Sequence, residues 1–521
     1  MKKLYLIPLF LLSVLISQAS PVSRERAHRF VDENILQIMP IGTSVDAIEP
    51  VVYNSDCVYY VINMKPEGWA IVSASDAVQP LIAYSTTGKY DITPDMSNAN
   101  WWMERYKREI SQAIKDGDSP LAEWTYKVKP VTRGKSDVVD PIIQVHWNQG
   151  RPYNQFCPSD AAGTAVVGCV AVGMAQAMSV AKWPARPNGQ YQYRSSRYGI
   201  LAIDYDLEEP YDWKVLTDKD AENHKLAAAH LLYHCGMSVN MDYGPDGSGA
   251  VSSAIVTALK RNFSYPDCVR HLDREGYSES EWNDIMVNEL KEGRAIVYHG
   301  HDTKGNYGHC FNIDGYDGNS HFHVNWGWGG SGDAYFALYA LRDSHMNMNY
   351  DANIGAIIGV RAPSSRPTDF TLSSTEVQAN APSGTVVASI RVSSEVESSY
   401  RYKITGPYNI VKKKYESVPF KFDFAGNLVT TESLKAGDKY DVIITVTPIS
   451  SPDDALVKNF ELTVVNETSV SQIVDESSIL VSEEFYSLDG RKRDYNDIQS
   501  GIYLSVKIYA DGKKSITKCF K

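Results

Sequence analysis

A thiol in the first turn of a helix is placed to act as a nucleophile, and Cys169 holds that position in Gly168-Cys169-Val170-Ala171-Val172-Gly173-Met174-Ala175-Gln176-Ala177-Met178. The small residues of this run suit a closely packed, buried helix. Unpaired first-turn amides and the helix dipole favour a thiolate there, which predicts a lowered thiol pKa. Taken alone, the same run also fits a core helix carrying a small apolar cysteine. Amide cleavage by a thiolate needs a second group that protonates the departing amine. His309, in Gly308-His309-Cys310-Phe311-Asn312-Ile313-Asp314-Gly315, is the candidate. That run reads as a strand, and the glycine before the imidazole leaves room for a substrate or a neighbouring chain. By itself His309 suits a packed strand histidine better than a catalytic one.

His309 follows Cys169 by 140 residues (309 minus 169), the order and spacing of papain-type enzymes. Two further runs supply groups that such a pair requires. In His323-Val324-Asn325-Trp326-Gly327-Trp328-Gly329-Gly330, the carboxamide of Asn325 could hold an imidazole in one tautomer and the indole of Trp326 could shield it from water. Upstream, in His146-Trp147-Asn148-Gln149, the side-chain amide of Gln149 is a candidate donor to a developing oxyanion beside the backbone N–H of the nucleophile.

Five runs together resemble the streptopain family of papain-fold cysteine peptidases. They are Trp147-Asn148-Gln149-Gly150-Arg151-Pro152-Tyr153-Asn154, Gly168-Cys169-Val170-Ala171, Met241-Asp242-Tyr243-Gly244-Pro245, Gly308-His309, and the run from His323 to Gly330, in family order over about 220 residues. The resemblance implies Cys169 as nucleophile, His309 as catalytic histidine, Gln149 in the oxyanion hole, and Asn325 and Trp326 flanking the imidazole. It also implies a mobile substrate-binding loop from Gly244 to Gly249, with Ser248 in it, and Trp328 as a further substrate contact. An apolar side chain two residues before the scissile bond is the family's preference. Two positions depart from the pattern: Val167 stands where threonine is frequent and Cys310 where alanine is usual. Cys310 puts a second thiol beside the site.

The elements that must position these groups can be read around them. From Val22 to about Leu36 the apolar spacing is helical, with Phe30 and Ile35 as core candidates. Cys57 to Asn63 and Trp69 to Ser75 read as strands around the turn Lys65-Pro66-Glu67-Gly68, and Trp101 to Ile114 is helical again. This small α+β unit, residues 20–126, is similar to the inhibitory propeptide of the same family. The polar link 127–137, with Arg133-Gly134-Lys135, is an exposed site for an activating cut. The peptidase is expected over 138–361, an α+β, papain-like fold of two subdomains, closed by the linker-like Arg361-Ala362-Pro363-Ser364-Ser365-Arg366-Pro367. Beyond it the chain reads as all β. Alternation at Val386 to Val392, Tyr400 to Ile404, Tyr440 to Val446 and Phe460 to Val465 predicts an immunoglobulin- or cadherin-like sandwich over 369–466. Residues 475–521 form a small β module. Its runs Tyr486-Ser487-Leu488-Asp489-Gly490-Arg491-Lys492 and Gly501-Ile502-Tyr503-Leu504 resemble the C-terminal sorting domain of type IX secretion cargo, which implies attachment or release through that machinery.

At the N-terminus, Lys2 and Lys3 precede an apolar run from Leu4 to Ile16, with small residues at Ser17 and Ala19. This predicts a signal peptide over 1–19 and export to the cell surface or beyond. No later stretch is long and apolar enough to span a bilayer. The net charge of −12, without long basic runs, argues against nucleic acid as a partner. Protein or peptide substrates and the chain's own propeptide are the expected partners. Seven scattered cysteines with no CxxC pair do not make a disulfide framework. No cofactor or metal is expected: His230 and His234 are four apart on a predicted helix and could share a face, but Leu231 stands where a zincin needs its glutamate base. A non-enzymatic adhesin or inhibitor would not need the set Gln149, Cys169, His309, Asn325 and Trp326. Other acyl transfer by the same dyad is less consistent with a propeptide-like unit.

Overall fold

The computed structural model describes residues 19–124, 138–301, 308–339, 341, 354–396, 398–423, 425–449, 451 and 454–466, and the backbone of four strands within 480–520. The predicted signal peptide up to residue 18 and the predicted activation link lie outside the described residues. The chain divides into two compact units, Met1–Pro363 and Ser364–Lys521. Among the described residues no helix is long and apolar enough to cross a membrane.

The first unit opens with helix α1 (Arg24–Phe30), capped by the Ser23 hydroxyl on the Arg26 amide and continued by a wider helical turn through Ile35. Four antiparallel strands follow: β1 (Ser44–Tyr53), β2 (Asp56–Lys65), β3 (Trp69–Ser73) and β4 (Leu81–Ser85). The alternation in β2 has an apolar residue at nearly every position because both faces are covered. Tyr60, Ile62 and Met64 join Phe30, Val31 and Ile35 in one core. Tyr59 and Val61 turn to the other side and meet helix α2 (Ser97–Asp116) through Trp102, Met103 and Tyr106. Successive side chains of a strand point to opposite faces, so one strand serves two cores.

Helices α3 (Cys169–Ala181), α4 (Trp213–Thr217), α5 (His224–Ser238) and α6 (Ala254–Phe263) gather around a core of Ala171, Met174, Leu231, Cys235, Ile255 and Phe263. Strand β5 (Arg270–Asp273), helix α7 (Glu279–Lys291) and strands β6 (Ile296–His301), β7 (Gly308–Tyr316), β8 (His321–Asn325), β9 (Ala334–Ala337) and β10 (Ile354–Ile358) complete the unit. The strands of both halves share one sheet in the order β1-β2-β3-β4-β9-β8-β7-β6-β10-β5. The join is the antiparallel pair β4–β9, with Tyr84 opposite Tyr335 and Ala83 opposite Phe336, the two tyrosine rings stacked at 5.2 Å. The N-terminal unit therefore extends the sheet of the domain that follows it, and its helix α2 covers the end of that sheet where β7 begins.

The second unit contains a two-sheet β-sandwich. One sheet orders Asp369–Leu372, Val386–Ser393, Asn427–Thr430 and Phe420–Phe422; the other orders Glu376–Gln378, Leu456–Val465, Lys439–Pro448 and Tyr400–Thr405. Phe370, Leu428, Val442, Ile444 and Leu462 fill the space between them. The C-terminal strands Leu480–Tyr486, Lys492–Arg493, Ile502–Tyr509 and Lys514–Phe520 form a separate four-stranded antiparallel sheet.

Candidate active site

Cys169 is the first residue of α3, and the preceding Gly168 has φ +90°, a conformation that side chains other than glycine rarely adopt. A Cβ at Gly168 would also lie 2.7 Å from Met241 Cε and 3.1 Å from the Ser248 carbonyl oxygen. Glycine before Cys169 is thus a requirement of both backbone and packing. Farther along α3, Gly173 lets the helix settle onto β7, where a Cβ would stand 3.1 Å from Cys310 Sγ.

This contact brings the two predicted catalytic elements together. The backbone amide of Cys310, the residue after His309, acts on the Cys169 sulfur together with the amides of Val170 and Cys169 itself. These amides favour a thiolate, as the sequence predicts. Burial outweighs them and holds the thiol above its ordinary pKa. The expected lowering of the Cys169 pKa is therefore reversed in this state: the helix terminus is present, but burial of the sulfur outweighs it. Burial likewise holds Cys310, beneath the site, well above the ordinary thiol range.

His309 pairs with Gly300 across β6–β7. Its ring lies 5.3 Å from the indole of Trp101, at 33° between planes. Trp101 belongs to α2 of the N-terminal unit and fits there because Gly300 has no side chain; a Cβ would stand 2.4 Å from its ring. One turn back, the buried Asn98 donates from Nδ2 to the carbonyls of Cys310 (3.1 Å) and Trp326 (2.7 Å), while its Oδ1 accepts from Trp328 Nε1 (2.7 Å). The same helix end thus holds the backbone next to His309, the backbone of Trp326 and the side chain of Trp328.

Gln149 is buried. Its carbonyl accepts from the Val167 amide at 2.9 Å, which fixes it beside the turn that leads into Cys169. Asn325 stands opposite Asn312 in β7–β8, and its Oδ1 accepts from Gln176 Nε2 (3.0 Å) and the Gly327 amide (3.1 Å). Gln176 Oε1 in turn accepts from Asn312 Nδ2 at 3.1 Å. Asn325 is therefore tied to α3 through Gln176. Trp326 is buried against Phe311, with ring centroids 4.7 Å apart, and donates from Nε1 to the Gly332 carbonyl.

The glycine-rich loop is latched beside the segment that leads into Cys169. Ser248 Oγ donates to the Val166 carbonyl (2.6 Å) and accepts from the Gly244 amide (3.0 Å), the Val166 amide donates to the Gly244 carbonyl, and Asp242 and Gly249 bridge the loop's base. Just after it, a cavity of about 480 Å³ opens, lined by Ser252, His271, Asp273, His299, Gly300 and Gly308 among others. The recess next to His309 is thus walled by 250–253 and β5–β6 and not by Gly244, Ser248 and Gly249 themselves.

Sequence reading missed Asn98, Trp101, Gln176 and the His271–His299 pair, whose Nε2 atoms are 2.9 Å apart. A signal for Trp101 existed. Neighbouring positions on a helix point about 100° apart, so Trp101 and Trp102 cannot both point straight into the core. Trp102 is fully buried in it, which leaves Trp101 half-buried at its edge, against His309. The two histidines of α5 share a face, as predicted, but Glu208 from a preceding turn meets them there.

Comparison with known proteins identifies relatives of both parts of the first unit. The Peptidase C10 family matches residues 147–336, and the Spi protease inhibitor family matches residues 19–110. Streptopain of Streptococcus pyogenes is 30% identical over 337 residues, 58% of this chain and 80% of the relative. The thiol protease/hemagglutinin PrtT of Porphyromonas gingivalis is 28% identical over 386 residues; the match takes in 69% of this chain and 44% of PrtT, so the chain spans less than half of that relative's length. Among solved structures, a fragment of Prevotella intermedia prointerpain A superposes with a TM-score of 0.52 at 26% identity, covering 62% of this chain and all of the fragment.

Proposed function

Because the chain belongs to the peptidase C10 family and carries an inhibitor-family segment ahead of the peptidase, we propose that it is the zymogen of a cysteine endopeptidase, with Cys169 as nucleophile and His309 as its acid–base partner. The Cys169 thiolate attacks a peptide carbonyl, and Gln149 with the Cys169 amide receives the oxyanion. His309 protonates the leaving amine, and water then hydrolyses the thioester. Asn325 and Trp326 shape the far side of the imidazole. The loop from Gly244 to Gly249 and the side chain of Trp328 border the substrate, with the recess beside Gly300 taking one of its side chains.

A single observation supports the zymogen reading above the others: the N-terminal unit seats Trp101 on His309 and Asn98 on the flanking strands. Bound so, it occupies the side from which a substrate would meet the imidazole. Activation then requires a cut in 127–137 and departure of α2. Export rests on the basic and apolar pattern of the first 19 residues, and a type IX route on the C-terminal β module; both belong to this proposal.

The test is to purify residues 20–521 with native Cys169 and as Cys169→Ala, and to follow self-processing and casein hydrolysis under reducing conditions. The native chain is expected to shorten and to gain activity, while the variant stays intact and inert. Casein hydrolysis by Cys169→Ala at the native rate would overturn the assignment.

A further inference from the structure

His230 and His234 lie one turn apart on α5, and their ring centroids are 4.2 Å from each other. Glu208 follows the tight turn Tyr205–Leu207, its amide held by the Tyr205 carbonyl, and this delivers its carboxylate onto the same face. Glu208 Oε2 is 2.9 Å from His230 Nε2 and 3.4 Å from His234 Nε2. One donor atom from each of the three residues falls within 4.8 Å of the others. Bonds of about 2.0 Å to a tetrahedral ion put ligand atoms roughly 3.3 Å apart, so little movement would be needed to close on one.

The hydrogen bonding is incomplete without such an ion. His230 has the Glu208 oxygen as its partner. His234 is fully buried, and its Nε2, aimed at the same oxygen, has no hydrogen-bond partner. A buried ring nitrogen in that condition has lost its water without gaining a partner. The other nitrogen, Nδ1, is 2.7 Å from the Tyr211 hydroxyl. With Nδ1–H donated to that oxygen, Nε2 presents its lone pair to the cluster, the outer-shell arrangement that metal-binding histidines use. The Tyr205 hydroxyl donates to the His234 carbonyl at 2.8 Å and fixes the helix at this point. Glu208 and His230 remain about 30% exposed at their side chains, which leaves one side of the cluster open to water.

We propose that Glu208, His230 and His234 form a binding site for one divalent transition-metal ion of the zinc class, with its fourth position open to water. Two imidazoles and a carboxylate suit zinc and its neighbours better than calcium or magnesium, which prefer oxygen ligands. The ion would staple the segment around Glu208 to α5. That helix packs on the nucleophile helix through Cys235 and Met178, whose sulfurs are 3.7 Å apart. Nothing in this inference depends on the peptidase assignment.

The test uses residues 20–521 carrying Cys169→Ala, so that the Cys169 thiol does not compete, stripped with a chelator and titrated with CoCl2 and ZnCl2. Expected are one equivalent of Co(II) with the visible d–d absorption of a tetrahedral site, its displacement by zinc, and a zinc-dependent rise in Tm. Glu208→Gln and His230→Ala, both at partly exposed positions, should each weaken binding at least tenfold and remove the zinc-dependent rise in Tm. The metal-free Tm of each variant reports whether it folds. Absence of both the absorption and the rise would overturn the site. So would binding in both folded variants equal to that of the parent, since the ion would then sit elsewhere.

Discussion

The indole of Trp101 covers the imidazole of His309 at 5.3 Å, so the inhibitor-family segment meets the peptidase at the proposed acid–base group. The fit depends on Gly300, whose missing side chain is the space that the indole fills. Trp101→Ala should weaken latency by about 2 kcal/mol, roughly thirtyfold in the closed-to-open ratio. Gly300→Ala should act in the same direction by expelling the ring. The rate of self-processing of the zymogen reads both, and an unchanged rate in both variants would show that the indole is a bystander.

Asn98 satisfies two carbonyls and accepts from one indole N–H, all across the boundary between inhibitor and peptidase. Asn98→Ala leaves those groups without a protein partner until water enters. A loss of about 1–3 kcal/mol follows from one such buried defect. Premature activation and a lower Tm of the zymogen are expected together; a shift in Tm with unchanged latency would place Asn98 in stability alone.

Burial holds the Cys169 thiol above its ordinary pKa in the latent chain. The proton therefore stays on sulfur to higher pH than for a free cysteine, and the thiolate fraction at neutral pH is depressed. Alkylation of Cys169 by iodoacetamide should be slow at pH 7 in the zymogen, rising only as pH passes above the normal thiol range near 8.5. Removal of the inhibitor should raise the rate at pH 7 by at least about tenfold. Equal rates before and after processing would contradict this reading, with Cys169→Ala correcting for the other thiols.

Much of this was legible in the sequence because the informative features are local. The helix at Cys169, the strand at His309 and the hairpin around Lys65 to Gly68 follow from periodicity and turn residues, and each is present at nearly the expected bounds. What the sequence did not disclose are relations between distant segments. The continuous ten-stranded sheet depends on the pairing of Tyr84 with Tyr335, which no local pattern encodes. The thiol pKa was misjudged because helix position is a local property and burial is not. Glu208 is hidden beside His230 and His234 for the same reason: a zincin's glutamate lies inside the helix, whereas this chain supplies one from a preceding turn.

Gly168 has its own test. A side chain there must adopt φ near +90° and push against Met241 and the Ser248 carbonyl. Gly168→Ala should cost at least about 2 kcal/mol of stability and displace Cys169 from the amides around it. A lower Tm with loss of casein hydrolysis is the expected pair of results. A variant as stable and active as the parent would mean that the turn before α3 tolerates another geometry.

Gln176 is the remaining link between the two halves of the site. From the second turn of α3 it donates to Asn325 Oδ1 and accepts from Asn312 Nδ2, with all three residues buried. Alanine at Gln176 would leave both partners short of a bond, destabilising the peptidase by about 2–3 kcal/mol. Asn325→Ala should destabilise as well, and because the two residues share one bond, the double variant should lose less than the sum by about 0.5–3 kcal/mol. If Asn325 also orients His309 in the active enzyme, each single variant should lower kcat with little change in KM, and the coupling should appear in kcat too. Strict additivity in both stability and kcat would separate Asn325 from α3 and return Gln176 to an ordinary core polar residue.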